Sequence, residues 1–132
     1  MQKLEDVLLF QIDLTSKLSK QSSQKRMDAR GMGITVEQWV LLKIVSENKG
    51  ATQREISKMS FRDPASITRT LDLLEKKGYL RRESSAENRR IYSIELTREG
   101  QAYVRQHMDF VQSLRDESVK GISKTEMEQL SK

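Results

Sequence analysis

A mostly helical, α+β fold is predicted by three features of the sequence. The first is a series of helix-start signals at Thr35, Thr52, Asp63, Thr97 and Ser123, each followed by apolar residues at helical spacing. The second is one pair of short β-prone runs, Tyr79-Leu80-Arg81-Arg82 and Ile91-Tyr92-Ser93-Ile94-Glu95-Leu96, with a polar segment between them. The third is the balance of residue types. Charged residues make up 33%, against roughly 25% in an average domain. That balance suits long helices with solvated faces, or helices that complete their burial against a partner subunit.

Residues 1 to about 28 read as a helix. Leu4, Val7, Leu8, Gln11, Leu14 and Leu18 lie along one face, and Phe10 and Ile12 widen it. An apolar surface broader than one stripe calls for two packing partners, inside the subunit or across a subunit interface. The segment turns polar from Gln21 to Arg30, and Gly31-Met32-Gly33 breaks it. Thr35-Val36-Glu37-Gln38 forms a capping box that opens a helix to about Glu47. Val36, Trp39, Val40, Leu42, Ile44 and Val45 make that helix largely buried, with Trp39 as a core anchor. Asn48-Lys49-Gly50 ends it, and Ala51 is placed to add a short third strand to the later hairpin.

Thr52-Gln53-Arg54-Glu55 is a second capping box, opening a short helix to about Ser60 with Ile56 and Met59 as its apolar face. Only Phe61, Arg62 and Asp63 separate it from the next helix, residues 64–77. There Asp63 caps the free N–H groups and Pro64 suits the first helical position. Gly78 supplies the left-handed residue that closes the helix, and Lys76 and Lys77 favour the negative end of its dipole. Ile67, Leu71 and Leu74 form its apolar stripe. At about 100° per residue, Ala65, Arg69, Asp72 and Lys76 point the opposite way, flanked by Ser66 and Thr68. Two helices joined by so short a turn form a helix-turn-helix candidate. The hairpin that follows carries Glu87-Asn88-Arg89-Arg90 at its tip, and a basic hairpin in that place is a wing.

After the hairpin, Thr97 caps a long helix to about Lys120. Tyr103, His107, Phe110, Val111, Leu114 and Val119 lie near one of its faces. Gly121 breaks it, and Ser123-Lys124-Thr125-Glu126 caps a last helix with Met127 and Leu130. The chain therefore divides into residues 1–34, residues 35–100 and residues 101–132. Amphipathic helices at both ends flank a compact basic centre.

Composition narrows the function classes. The 132 residues carry a net charge of +5, which favours an acidic polymer as partner. There is no cysteine, so disulfides and thiolate metal sites are excluded. No apolar run approaches the roughly 20 residues needed to span a bilayer, and no cleavable signal pattern is present, so a cytoplasmic location and no membrane partner are expected. His107 is the only histidine and sits on an apolar helix face. Without a second one, a Ser-His-acid constellation cannot form elsewhere, and metal-ligand spacing is missing. Gly31-Met32-Gly33 is too short for a phosphate loop. No catalytic residue, metal or cofactor is expected.

The order Gln38-Trp39, Gln53-Arg54-Glu55-Ile56, Asp63-Pro64-Ala65-Ser66-Ile67-Thr68-Arg69, Leu74-Glu75-Lys76-Lys77-Gly78-Tyr79-Leu80-Arg81-Arg82, Asn88-Arg89-Arg90 and Leu96-Thr97-Arg98-Glu99-Gly100 resembles the multiple-antibiotic-resistance regulator (MarR) family of winged helix-turn-helix transcription factors. The likeness spans most of the chain. The family wing usually carries Asp-x-Arg; here the matching positions are Glu87-Asn88-Arg89, with the arginine kept and the acid one methylene longer.

The resemblance implies that the terminal helices of two subunits interlock into a dimerisation domain. It also implies release of DNA by a small aromatic or anionic effector lodged between the dimerisation helices and the DNA-binding lobe, for which Phe10, Met32, Trp39 and His107 are the lining candidates.

The reading is thus a homodimeric regulator of double-stranded DNA, with a palindromic operator, acting as a repressor. Ser66, Thr68, Arg69 and Thr70 are expected at base edges or nearby phosphates, and Arg69 is the candidate for bidentate contact with guanine. Arg54 and Arg62 are expected to position phosphates, and Arg89 and Arg90 to serve the wing. The competing reading is a winged-helix protein-interaction module that does not read DNA. The polar face of the 64–77 helix and the double-arginine wing count against it, since a docking face needs an apolar or aromatic hot spot. Membrane-surface binding by residues 1–30 ranks last, because the basic residues there cluster at one end.

Overall fold

The computed structural model describes residues 1–84, 87–88 and 90–132. A 3-10 turn, Leu4–Asp6, precedes six α-helices and one hairpin: α1 Leu8–Arg30, α2 Val36–Glu47, α3 Gln53–Ser60, α4 Pro64–Lys76, β1 Leu80–Ser84, β2 Tyr92–Leu96, α5 Arg98–Ser118 and α6 Lys124–Leu130. The mostly helical, α+β winged helix-turn-helix class stands.

The predicted start signals are where the helices begin. Thr35 and Gln38 form the full reciprocal capping box. Thr52, Thr97 and Ser123 each accept the backbone N–H three residues on. The first helix differs from expectation: it starts at Leu8, after an extended Val7, and runs on to Arg30. The polar run from Gln21 does not end it. It ends where Gly31 takes a left-handed φ of 76°.

One core joins α2, α3, α4, the hairpin and α5. Leu42, Ile56, Ile67, Leu71, Leu74 and Ile94 have no exposed surface. β1 and β2 pair antiparallel, with Leu80 opposite Leu96 and Ser84 opposite Tyr92. The expected third strand is a single bridge, Thr52 to Ser93, with Ile94 N–H donating to the Ala51 carbonyl at 3.0 Å. That bond fixes the base of the hairpin to the start of α3.

The turn from α4 into β1 is held by the start of α5. The Thr97 N–H donates to the Tyr79 carbonyl at 3.0 Å, and the Thr97 hydroxyl donates to the Gly78 carbonyl. Gly100 lies so close to this turn that a Cβ on it would stand 1.9 Å from the Tyr79 oxygen. Only glycine permits the approach. The Leu96-Thr97-Arg98-Glu99-Gly100 stretch therefore locks the hairpin to α5.

Helix α1 joins this core only near its end, through Met27. Among its described residues only Met27 is buried. Leu8, Leu9, Ile12, Leu14 and Leu18 are all exposed. Two ion pairs, Lys20 to Glu37 and Arg26 to Glu117, tie its second half to α2 and α5.

Candidate nucleic-acid interface

Helix α4 is fixed at its start by its own cap. The Asp63 carboxylate accepts the Ser66 hydroxyl at 2.6 Å and the Ser66 N–H at 2.9 Å. These bonds hold the Asp63 carboxyl below its ordinary value of 3.8. Thr68 then joins α4 to α3. Its hydroxyl donates to the Pro64 carbonyl at 2.9 Å and accepts from Gln53 Nε2 at 3.1 Å. Arg69 is exposed, with Nη2 3.4 Å from the Ser66 hydroxyl.

The wing is fixed to α4 by Arg82. Its Nη1 donates to Asp72 Oδ1 at 2.6 Å and lies 3.7 Å from Glu75 Oε1. Nη2 donates to the Thr68 carbonyl at 3.2 Å, and the Arg82 N–H donates to Glu75 Oε2 at 3.1 Å. A single β1 guanidinium thus neutralises two carboxylates on α4 and sets the angle between helix and hairpin.

Between α3, α4 and the hairpin runs an open groove of about 890 Å³, lined by Gln53, Arg54, Thr68, Arg82, Arg90 and Tyr92 among others. Four of these six are arginine or carry a side-chain amide. Such a surface presents donors to phosphate and to base edges.

The predicted site residues fall into three groups. Arg54, Thr68 and Arg90 come together along the groove, and Arg69 and Ser66 lie on the adjoining surface of α4. Arg62 is half-buried instead of projecting. It makes a long bond of 3.5 Å to the Thr70 hydroxyl, and its charge helps Lys20 keep Glu37 ionised against the cost of burial. Thr70 requires a correction. It is 8% exposed, and its hydroxyl donates back to the Ser66 carbonyl at 2.9 Å, so it faces the core and not a ligand. Its spacing from Ile67 and Leu74 puts it on the apolar face. Arg89 lies outside the described residues.

Three of the four effector candidates also meet. The Tyr103 ring stacks near Trp39 and His107, with centroids 6.4 and 4.5 Å away, and its hydroxyl donates to the Met32 carbonyl at 2.7 Å. Met32, Trp39 and His107 are all buried. Arg30 closes the cluster, with its guanidinium 4.4 Å above Phe110 and Nε donating to His107 Nδ1 at 3.3 Å. Burial and the neighbouring Arg30 charge push the His107 imidazole below its ordinary value of 6.5. Phe10 is not part of the cluster. It is half-buried on α1, 17 positions before Met27, which is about 25 Å along a helix.

Gln53, Arg82 and Tyr92 belong to the groove without having been singled out by sequence reasoning. The alternation of the second strand could have signalled Tyr92. Nothing in local pattern marks Arg82, whose role depends on two carboxylates ten and seven residues away.

Residues 34–92 match the model of the MarR family. The fold is also similar to that of several solved proteins. The S. aureus MepR–DNA complex has a TM-score of 0.86 at 24% identity, covering 95% of this chain and 91% of that one. A mutant E. coli MarR complexed with operator DNA has a TM-score of 0.86 at 22% identity, covering 99% and 94%. Bordetella bronchiseptica BpsR, whose DNA binding is regulated by 6-hydroxynicotinic acid, has a TM-score of 0.89 at 16% identity, covering 99% and 92%. At these identities the structures speak for the fold, and the family match covers 59 of the 132 residues.

Proposed function

We propose that this chain is a DNA-binding transcriptional regulator of the MarR kind, working as a homodimeric repressor of a palindromic operator and released by a small ligand. The observation that carries the DNA reading is the groove between α3, α4 and the wing, with Arg54, Thr68 and Arg90 along it and Arg69 beside it. The positive end of the α4 dipole faces phosphate. Arg69 makes the bidentate contact with guanine, Ser66 and Thr68 serve neighbouring edges, and Arg54, Arg89 and Arg90 neutralise phosphates, while half-buried Arg62 turns towards Thr70.

The dimer reading rests on α1. A helix of 23 residues with one buried side chain and a row of exposed leucines cannot be explained within one subunit. Residues 1–34 and 101–132 supply the dimerisation unit, and residues 35–100 the reading unit. A two-fold dimer then places two α4 helices at half-sites about one DNA turn apart.

The ligand reading rests on the Tyr103 cluster. Trp39 Nε1 is buried there and has no hydrogen-bond partner among the described residues. An acceptor group on an aromatic or anionic effector satisfies it, and Arg30 supplies a countercharge. Opening this cluster moves α2 and α5 relative to α1, and so changes the spacing of the two α4 helices.

Salt dependence and one substitution test the reading together. With three or four phosphates neutralised per subunit, log K against log salt falls with a slope of about −5 to −7. Arg69→Ala costs about 1–3 kcal/mol and relaxes specificity at one position in each half-site. A slope near zero, or unchanged specificity in the variant, contradicts it.

A further inference from the structure

The turn between α3 and α4 contains a residue that breaks two local rules at once. Phe61 is 97% exposed, the most of any large apolar side chain after the N-terminal methionine. Its φ is 55°, the only positive value on a non-glycine residue among those described. The helix-turn-helix turn needs a left-handed residue here to end α3. Glycine meets that need without strain, and asparagine with little. Phenylalanine meets it at a steric cost and then leaves its ring in water. Nothing in the fold of the subunit repays either cost. Such doubly unfavourable positions mark functional sites.

The surroundings say what kind of site. Ser60, Arg62 and Asp63 flank Phe61 in sequence, and all three are polar or charged. Asp63 is the cap of α4, so the ring is anchored only three residues before the helix begins. Protein-docking hot spots sit inside apolar or aromatic clusters; one ring in a polar turn beside the basic α4 face does not resemble them. A lone ring at the mouth of the reading helix matches instead the one apolar feature of the major groove, the thymine methyl group.

We infer that Phe61 is a specificity-determining residue that packs on the 5-methyl group of a thymine at the edge of each half-site. This rests on the DNA-reading function proposed above and extends it by one base position. The left-handed backbone is what carries the side chain clear of the subunit.

Deoxyuridine tests this, because it removes only the methyl group. The dimeric protein is titrated with its selected operator and with duplexes in which single thymine pairs, one per half-site, carry uracil. Loss of one buried methyl is worth about fourfold in affinity, hence about sixteenfold for the symmetric pair. One thymine position is expected to show that loss with the wild-type chain. In Phe61→Gly the same substitution has no effect, while the thermal midpoint is equal or higher because the strain is relieved. Phe61→Leu, which keeps apolar bulk, retains part of the discrimination.

Equal discrimination in wild type and Phe61→Gly overturns the inference. So does a change in oligomeric state or loss of a protein contact without a change in DNA affinity. Failure of the wild-type chain to bind any operator is a separate result, and removes the DNA reading itself.

Discussion

Replacing Arg82 by alanine separates the two jobs of this residue. In the folded chain its side chain is only 16% exposed and holds Asp72, Glu75 and the Thr68 carbonyl. Hydrogen bonds to charged groups contribute about 1.5–3 kcal/mol each when well buried. Asp72 and Glu75 are about half exposed, so solvent screening reduces this, and the stability cost is about 1–2 kcal/mol. The effect on DNA is larger in consequence. Glu75 keeps the backbone N–H of residue 82, which alanine still provides. Asp72 keeps no partner among the described residues and becomes an uncompensated charge on the exposed face of α4. At about 8 Å from a phosphate and an effective dielectric of about 40, that repulsion is about 1 kcal/mol per subunit. For a dimer it is about 2 kcal/mol, or roughly thirtyfold in Kd. Fluorescence anisotropy with a labelled operator duplex reads this, alongside a thermal melt. Adding Asp72→Asn to Arg82→Ala should restore much of the affinity while leaving stability low. Wild-type affinity in Arg82→Ala, or no recovery in the double variant, refutes the electrostatic argument.

Three further outcomes follow from the same geometry. Gly100→Ala drives a methyl into the Tyr79 carbonyl, and because the obstacle is backbone the cost is about 3 kcal/mol or more, measured by denaturant unfolding. Ile12→Lys places a charge on the exposed apolar face of α1; both copies lose burial, so dimer dissociation should strengthen over a hundredfold, about 3 kcal/mol, by analytical ultracentrifugation. The depressed His107 pKa means that the unfolded chain takes up a proton more readily than the folded one. Its stability contribution is complete above about pH 7.5 and is lost as pH falls from 6.5 through the lower folded-state value, and a His107→Gln variant should flatten that part of the unfolding profile.

The elements were legible because their ends are chemical. Thr35, Thr52, Asp63, Thr97 and Ser123 each satisfy orphan N–H groups by a local bond, and local bonds can be read from spacing. Positions set by tertiary approach were not. Thr70 carries a hydroxyl yet lies on the face of Ile67 and Leu74, and residue type outweighed spacing in placing it outward. Arg82 sits in a basic run, and only the fold brings Asp72 and Glu75 to it. The need for glycine at residue 100 arises from a carbonyl 21 positions earlier. Phe10 was grouped with Met32, Trp39 and His107 through the family resemblance, and within one subunit the length of α1 separates it from them. The exposed leucines of α1 were foreseen as an excess of apolar surface, and the fold leaves that surface uncovered within the subunit.

Selection of binding sequences from a random duplex library with the purified chain, at near-physiological salt, bears most directly on the claim that this protein reads DNA as a dimer. The account predicts enrichment of one inverted repeat with half-sites about one turn apart. Retention of DNA with no enriched sequence, or no retention at all, contradicts it.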